Sequence, residues 1–117
     1  MVLRCIDQQR ALEFYTDILG LIEERRIERI GLIQLRAGQS MLDLVPAQDV
    51  AKAGRNVDHF CLGVAAPDFD ALLAYLRGRG VELVGEPGMR YGARGMGRSV
   101  YIRDPEGNVV ELKQMPD

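Results

Sequence analysis

Tryptophan is absent from this 117-residue chain, histidine occurs once, cysteine occurs twice, and only seven residues are Phe or Tyr. Two cysteines, Cys5 and Cys61, are too few for the disulfide framework of a small secreted domain. No apolar run approaches the roughly 18 residues of a membrane span, and the N-terminus lacks a basic-then-apolar signal pattern, so the chain reads as cytoplasmic. An excess of one charge is missing too. Fifteen basic residues meet seventeen acidic ones for a net charge of −2, which argues against a nucleic-acid or anionic-membrane partner. Lysine is scarce: apart from Lys52 and Lys113, every basic residue is arginine. Arginine suits bidentate carboxylate or phosphate contacts, although codon bias is the plainer reading.

What is present is a sequence written twice. Apolar residues make up 47% and charged residues 27%, an ordinary globular balance that fits one domain able to bury its own core. Displaced by about sixty residues, Met1-Val2-Leu3-Arg4-Cys5 falls on Phe60-Cys61-Leu62-Gly63-Val64. Ala11, Leu12, Tyr15, Gly20 and Leu21 then fall on Ala71, Leu72, Tyr75, Gly80 and Val81. The segment 38–44 matches 107–112 with one residue fewer, which pairs Asp43 with Glu111. The single histidine, His59, falls opposite the position just before Met1. Two copies are too few for a solenoid, so a pseudo-twofold domain is expected, with units 1–45 and 57–117 joined by a polar linker 46–56.

Each unit reads β-α-β-β-β, an α+β pattern. In the first, a strand over Val2 to Cys5 precedes a helix capped by Asp7 and closed by Gly20, then strands near 21–26, 30–36 and 40–45. In the second, a strand from His59 to Val64 precedes a helix whose Phe69, Leu72, Leu73 and Leu76 recur at helical spacing. Strands near 81–84, 99–103 and 108–113 follow, and Asp104-Pro105-Glu106-Gly107 is a turn signal. Between them, glycines at 85, 88, 92, 95 and 97 alternate with Arg90, Arg94 and Arg98, a segment expected to be either an anion-binding lid or a solvated loop. No Gly-Lys-Ser or Gly-Lys-Thr ending makes it a phosphate-binding loop.

Strand alternation assigns faces. Cys61 and Gly63 share the face of His59, Met41 and Val45 that of Asp43, and Val109 and Lys113 that of Glu111. A carboxylate inside an apolar strand must be paired, hydrogen-bonded, metal-bound or on a wet face of the sheet. Two carboxylates at equivalent positions with a lone His nearby favour a ligand set. Cys61 is expected to be a buried packing residue, since no activating base lies near it in sequence.

The motifs Ala11-x-x-Phe14-Tyr15-x-x-Ile18-Leu19-Gly20-Leu21 and 101–112 (Tyr101-Ile102-Arg103-Asp104-Pro105-Glu106-Gly107-Asn108-Val109-Val110-Glu111-Leu112), with Asp58-His59 between, resemble the vicinal oxygen chelate superfamily. This is the glyoxalase, bleomycin-resistance and extradiol-dioxygenase group. The resemblance covers essentially the whole chain. It implies a glyoxalase-like fold in which two paired β-α-β-β-β units form a curled, cup-like mixed sheet, often as a homodimer. It further implies metal ligands at the position before Met1, Asp43, His59 and Glu111, with Glu111 or Asp43 carrying a proton. One histidine cannot supply the two that extradiol ring cleavage uses, and a set of Asp43, His59 and Glu111 suits Mn²⁺, Ni²⁺, Zn²⁺ or Fe²⁺. Arg4, which resembles the glutathione-carboxylate contact of glyoxalase I, is a candidate substrate contact or an ion-pair partner. Arg98 and Tyr101 are further candidate substrate contacts. The activity implied is that of a metal-dependent lyase or isomerase acting on a small oxygenated or thiol-conjugated substrate. A metal-free ligand-sequestering protein and a metal-dependent thiol transferase are the alternatives. The retained His and carboxylates, and the scarcity of aromatics, favour the enzyme over the sequestering protein.

Overall fold

The computed structural model describes residues 1–47 and 57–116 and divides into two compact units, Met1–Arg55 and Asn56–Asp117. In the first, β1 (Val2–Cys5) leads into α1 (Gln8–Glu13), which continues as a π-helical segment, Phe14–Ile18, before β2 (Ile22–Ile27), β3 (Leu32–Ala37) and β4 (Ser40–Pro46). In the second, β5 (Phe60–Val64) is followed by α2 (Phe69–Gly78), β6 (Glu82–Gly92), β7 (Gly95–Arg103) and β8 (Val109–Gln114). Both units therefore have the expected β-α-β-β-β order. Pro46, the first residue of the expected linker, closes β4, and residues 48–56 lie outside the described residues.

Each unit forms one four-stranded mixed sheet in which the last strand sits between the first and third, in the orders β1-β4-β3-β2 and β5-β8-β7-β6. The first and last strands run parallel and the remaining pairs antiparallel. Register carries the internal repeat into three dimensions. Asp43 lies between Val2 and Gln34, as Glu111 lies between Cys61 and Tyr101.

Helix starts are set by side-chain caps. Asp7 accepts from the Arg10 amide at 3.1 Å, and Asp68 accepts from the Ala71 amide at 3.0 Å, each satisfying a donor that the first helical turn leaves unpaired. Those caps correct the sequence alignment within the helices. They pair Leu12 with Leu73 and Tyr15 with Leu76, all buried, rather than Leu12 with Leu72 and Tyr15 with Tyr75, which is exposed. From cap to terminal glycine the first helix is one residue longer, and the π-helical segment absorbs it: the Leu19 amide donates to the Phe14 carbonyl, five residues back, at 3.1 Å. Gly20 and Gly80 then coincide again, with φ of +80° and +70°, the left-handed helix stop that favours glycine.

The segment 85–98 is neither lid nor loop. It is the outer part of a hairpin in which Gly92 pairs with Gly95 across the turn residues Ala93 and Arg94, and Tyr91 pairs with Met96. A bulge sets five residues of β6, Val84 to Gly88, against the three from Tyr101 to Ser99 of β7. Glycine weakens a strand without forbidding the ladder, and it marks bulges and close approaches, which is its use here. The turn from Asp104 to Gly107 is as expected. The Gly107 amide donates to the Asp104 carbonyl at 3.0 Å, and the buried Asp104 carboxylate accepts from the amides of Glu106 and Asn108 at 2.9 and 2.8 Å. That tight connection sets Tyr101 opposite Glu111.

One face of each sheet packs with its helix. Leu3, Cys5, Ile33, Leu35, Leu42 and Leu44 are buried with Ala11, Leu12, Phe14 and Tyr15 in the first unit, and Val100, Ile102, Val110 and Leu112 with Phe69, Leu73 and Leu76 in the second. No described helix is long and apolar enough to cross a membrane. Leu76→Ala, at a fully buried position, is expected to destabilise the protein by about 2–5 kcal/mol in urea unfolding. Loss of the α2 cap in Asp68→Ala should take about 1 kcal/mol. Equal effects of the two variants would refute this assignment of core and cap.

Candidate functional site

β8 is the central strand on which the second unit's polar face is built. Alternation sends Val110 and Leu112 to the helix side and Glu111 to the other, yet Glu111 is only 8% exposed. Its carboxylate lies beside His59, the residue just before β5, with the imidazole Nε2 3.3 Å from Oε1. The other ring nitrogen, Nδ1, is 2.8 Å from the Asp58 carboxylate. Tyr101, directly across from Glu111 on β7, meets the imidazole edge to face, with ring centroids 4.9 Å apart and planes at 84°.

Behind Tyr101 stands Arg90. Its guanidinium lies 4.7 Å from the centre of the tyrosine ring, a cation–π contact. Arg90 donates to the Ser99 carbonyl and hydroxyl, both at 2.9 Å, and to the Glu86 carbonyl at 3.2 Å inside the β6 bulge. The imidazole is thus held on three sides: by a carboxylate on Nδ1, by a clamped aromatic ring, and by Glu111 facing Nε2.

The donor chemistry of this group fits a cation. A proton on Nδ1, where Asp58 accepts it, leaves a lone pair on Nε2 facing the Glu111 carboxylate. Two acceptors at that separation are reconciled by a proton, on Nε2 or on the carboxyl, or by a metal ion between them. A carboxylate on the far nitrogen is also the usual way a ligating histidine is oriented. Among the described residues, no group of three or more His, Cys, Asp or Glu side chains is close enough together to hold a metal ion.

The first unit repeats the arrangement in a simpler form. Asp43 occupies the position equivalent to Glu111, and Gln34, equivalent to Tyr101, donates from Nε2 to its two oxygens at 3.3 and 3.2 Å. Arg4 is exposed on β1, two residues along from Val2.

The model of the glyoxalase/bleomycin resistance protein/dioxygenase superfamily matches residues 1–112. The chain belongs to that superfamily. It is 29% identical to virulence protein STM3117 of Salmonella typhimurium over 97% of this chain and 81% of that one. The crystal structure of STM3117 superposes with a TM-score of 0.78, covering 98% of this chain and 93% of the other. Lactoylglutathione lyase from Agrobacterium tumefaciens is 25% identical with a TM-score of 0.69, covering 97% and 90%. The fosfomycin resistance protein FosX from Listeria monocytogenes shares the fold at 16% identity and a TM-score of 0.77, covering 99% and 90%.

Within this glyoxalase-superfamily chain, the structure brings His59, Glu111 and Tyr101 together and sets Arg98 elsewhere. Arg98 and Tyr101 lie an odd number of residues apart on β7, so they point to opposite faces. Arg98 pairs with Asp70 of α2 at 2.9 Å and lies 5.1 Å from the centre of the Phe69 ring. From sequence, Asp58 stood only as part of the Asp58-His59 motif, with no role assigned, and Arg90 was given no role in holding Tyr101.

Cys61 corrects a further expectation. Cys5 is buried, but Cys61 is exposed, because it shares the polar face with Glu111, its neighbour across β5 and β8. Partial burial of its thiol raises the Cys61 pKa first, the Glu111 carboxylate raises it further, and Lys113 opposes them. The neutral thiol is favoured at pH 7, so alkylation by iodoacetamide should be slow there and still climb with pH above the ordinary thiol range. Glu111→Gln removes one cause of the rise and should speed alkylation at a given pH. A wild-type rate that levels off below that range would contradict this electrostatic picture.

Proposed function

We propose that the protein is a metal-dependent lyase or isomerase of the glyoxalase type, acting on a small oxygenated or thiol-conjugated substrate. One observation carries this reading: the imidazole Nε2 of His59 faces the buried Glu111 carboxylate, while Asp58 holds Nδ1. His59 and Glu111 would hold a divalent ion of the Mn²⁺, Ni²⁺, Zn²⁺ or Fe²⁺ class. Asp43 is the third proposed ligand, supplied within the chain or by the second copy in a homodimer. Membership of the superfamily and the 25% identity to a lactoylglutathione lyase support the reaction class.

When bound, such an ion polarises two neighbouring oxygens of the substrate. The remaining work falls to the chain's own groups. Glu111, or Asp43 in its stead, would take a proton from the substrate carbon next to those oxygens and return it. The burial of Glu111 keeps bulk water from competing for that proton. Asp58 fixes the imidazole tautomer, and Tyr101, clamped by Arg90, limits the ring's rotation. Arg4 is proposed as a substrate contact from the first unit.

Elemental analysis of gently purified protein tests this. Near-stoichiometric metal per chain is expected in the wild type, with loss in His59→Ala and Glu111→Ala and weaker retention in Asp43→Ala. Removal of the outer carboxylate in Asp58→Ala should weaken metal affinity by about 10–100-fold. Wild-type protein that holds no metal after soaking in Mn²⁺, Ni²⁺ and Zn²⁺ would overturn the catalytic reading and leave ligand sequestration as the function to pursue.

A further inference from the structure

We propose that Lys113 is the anion-recognising residue of this site, so that the substrate carries an oxyanion, of carboxylate or phosphate type, remote from the oxygens that meet His59 and Glu111. The inference rests on the reading of His59 and Glu111 as the reacting end of the site. It names a substrate class which that reading leaves open.

Lys113 stands two residues beyond Glu111 on β8, on the same face and one pleat repeat away, about 7 Å between Cα atoms. It is only 7% exposed, an uncommon state for a lysine. Its ammonium donates to the Gly95 carbonyl at 2.7 Å. An ammonium has three donors, and this bond uses one. Among the described residues no carboxylate pairs with it, since Glu111 is turned to His59. Arg90 and Arg103, cations on the same face, are already engaged, Arg90 by Ser99 and Glu86 and Arg103 by Glu82 and the Gly107 carbonyl.

The hairpin is shaped around this lysine. A methyl group at Gly92 would stand 2.9 Å from Lys113 Cε, and one at Gly97 would stand 3.0 Å from Nζ. A side chain at Gly92 would push the lysine stem aside, and one at Gly97 would meet the Gln114 carbonyl oxygen at 2.9 Å as well as the ammonium, so the glycines that resembled a flexible loop in sequence leave room for the lysine. Gly63 and Ser99, small residues, flank Lys113 on the adjoining strands. A cation held out of water without a counter-ion is unfavourable, and an anionic ligand offsets that cost. In so poorly hydrated a position the attraction is also stronger than at the surface.

Inorganic phosphate and acetate serve as probes, titrated into the intact protein while its amide spectrum is followed, with metal content measured on the same samples. In the wild type, saturable shifts are expected at Gly92, Gly95 and Gly97. Lys113→Met should weaken binding about tenfold or more while leaving metal content unchanged. Gly92→Ala keeps every charge but pushes the lysine aside, and should weaken binding as well. Arg77→Met, on the exposed face of α2, removes the same charge and should leave binding intact. Anion affinity in Lys113→Met equal to that in Arg77→Met would overturn the inference, as would an absence of saturable shifts in the wild type. Lys113-dependent binding in protein that holds no metal would uphold the anion site while refuting the metal-dependent function, so the two readings fail separately.

Discussion

A buried carboxylate flanked in its strand by two core residues is the constraint on which the polar face of the second unit depends. Glu111 sits between Val110 and Leu112, both buried against the helix, and the pleat turns it onto the opposite face with little exposure. A buried carboxylate without a partner would cost several kcal/mol or take up a proton. The surrounding structure supplies a partner in His59, and His59 in turn requires Asp58 and the Tyr101 ring to hold its orientation. Arg90 and the β6 bulge belong to the same sequence of contacts, because the Glu86 carbonyl that receives Arg90 is displaced by the bulge. His59, Asp58, Tyr101 and Arg90 are thus coupled through the Glu111 carboxylate.

The two units solve one topology with different chemistry. Val2, Asp43 and Gln34 form the row that Cys61, Glu111 and Tyr101 form in the second unit. Asp43 meets an amide that donates to both its oxygens, a neutral contact that leaves its charge in place. Glu111 meets an imidazole, which can carry a proton or a metal. The second unit also extends its hairpin to strands of eleven and nine residues, where the first has six and six. The extra length is what places Arg90 behind Tyr101 and the glycine slot around Lys113.

Much of this was legible in the sequence, and the reasons for the rest are physical. The β-α-β-β-β order, the Asp7 end of the first helix and the 104–107 turn follow from periodicity and capping chemistry, while the matching Asp68 cap emerges only in the structure. The pairing of Asp43 with Glu111 followed from the repeat. Glycine misled the reading of 85–98, because its low strand propensity is local while the ladder between β6 and β7 is fixed by partners up to twenty-one residues apart, as in Glu82 with Arg103. The helix alignment slipped because a π-helical turn hides one residue without changing the apolar pattern on either side. Cys61 was taken for a core residue by analogy with Cys5, although its alternation with His59 already set it on the polar face. Arg98 and Tyr101 were both expected as substrate contacts, and the odd spacing between them sets them on opposite faces.

The neighbouring rows of β8 carry opposite charges for different reasons, and the difference indicates a direction for the chemistry. Glu111 has a partner that can exchange a proton or share a cation, so its row is suited to a changing charge. Lys113 has only a carbonyl and a slot made by removing side chains, so its row is suited to a fixed one. A substrate spanning both would be anchored at the lysine end, where a single cation is held in place, and altered at the histidine end, where an imidazole and a carboxylate face each other. Binding energy from the remote anion would then position the reacting oxygens, the arrangement in which non-reacting parts of a substrate contribute to rate. The pleat repeat of about 7 Å and the further reach of the lysine toward Gly95 set the length such a molecule must have. A substrate of only two or three heavy atoms would be too short to engage both ends.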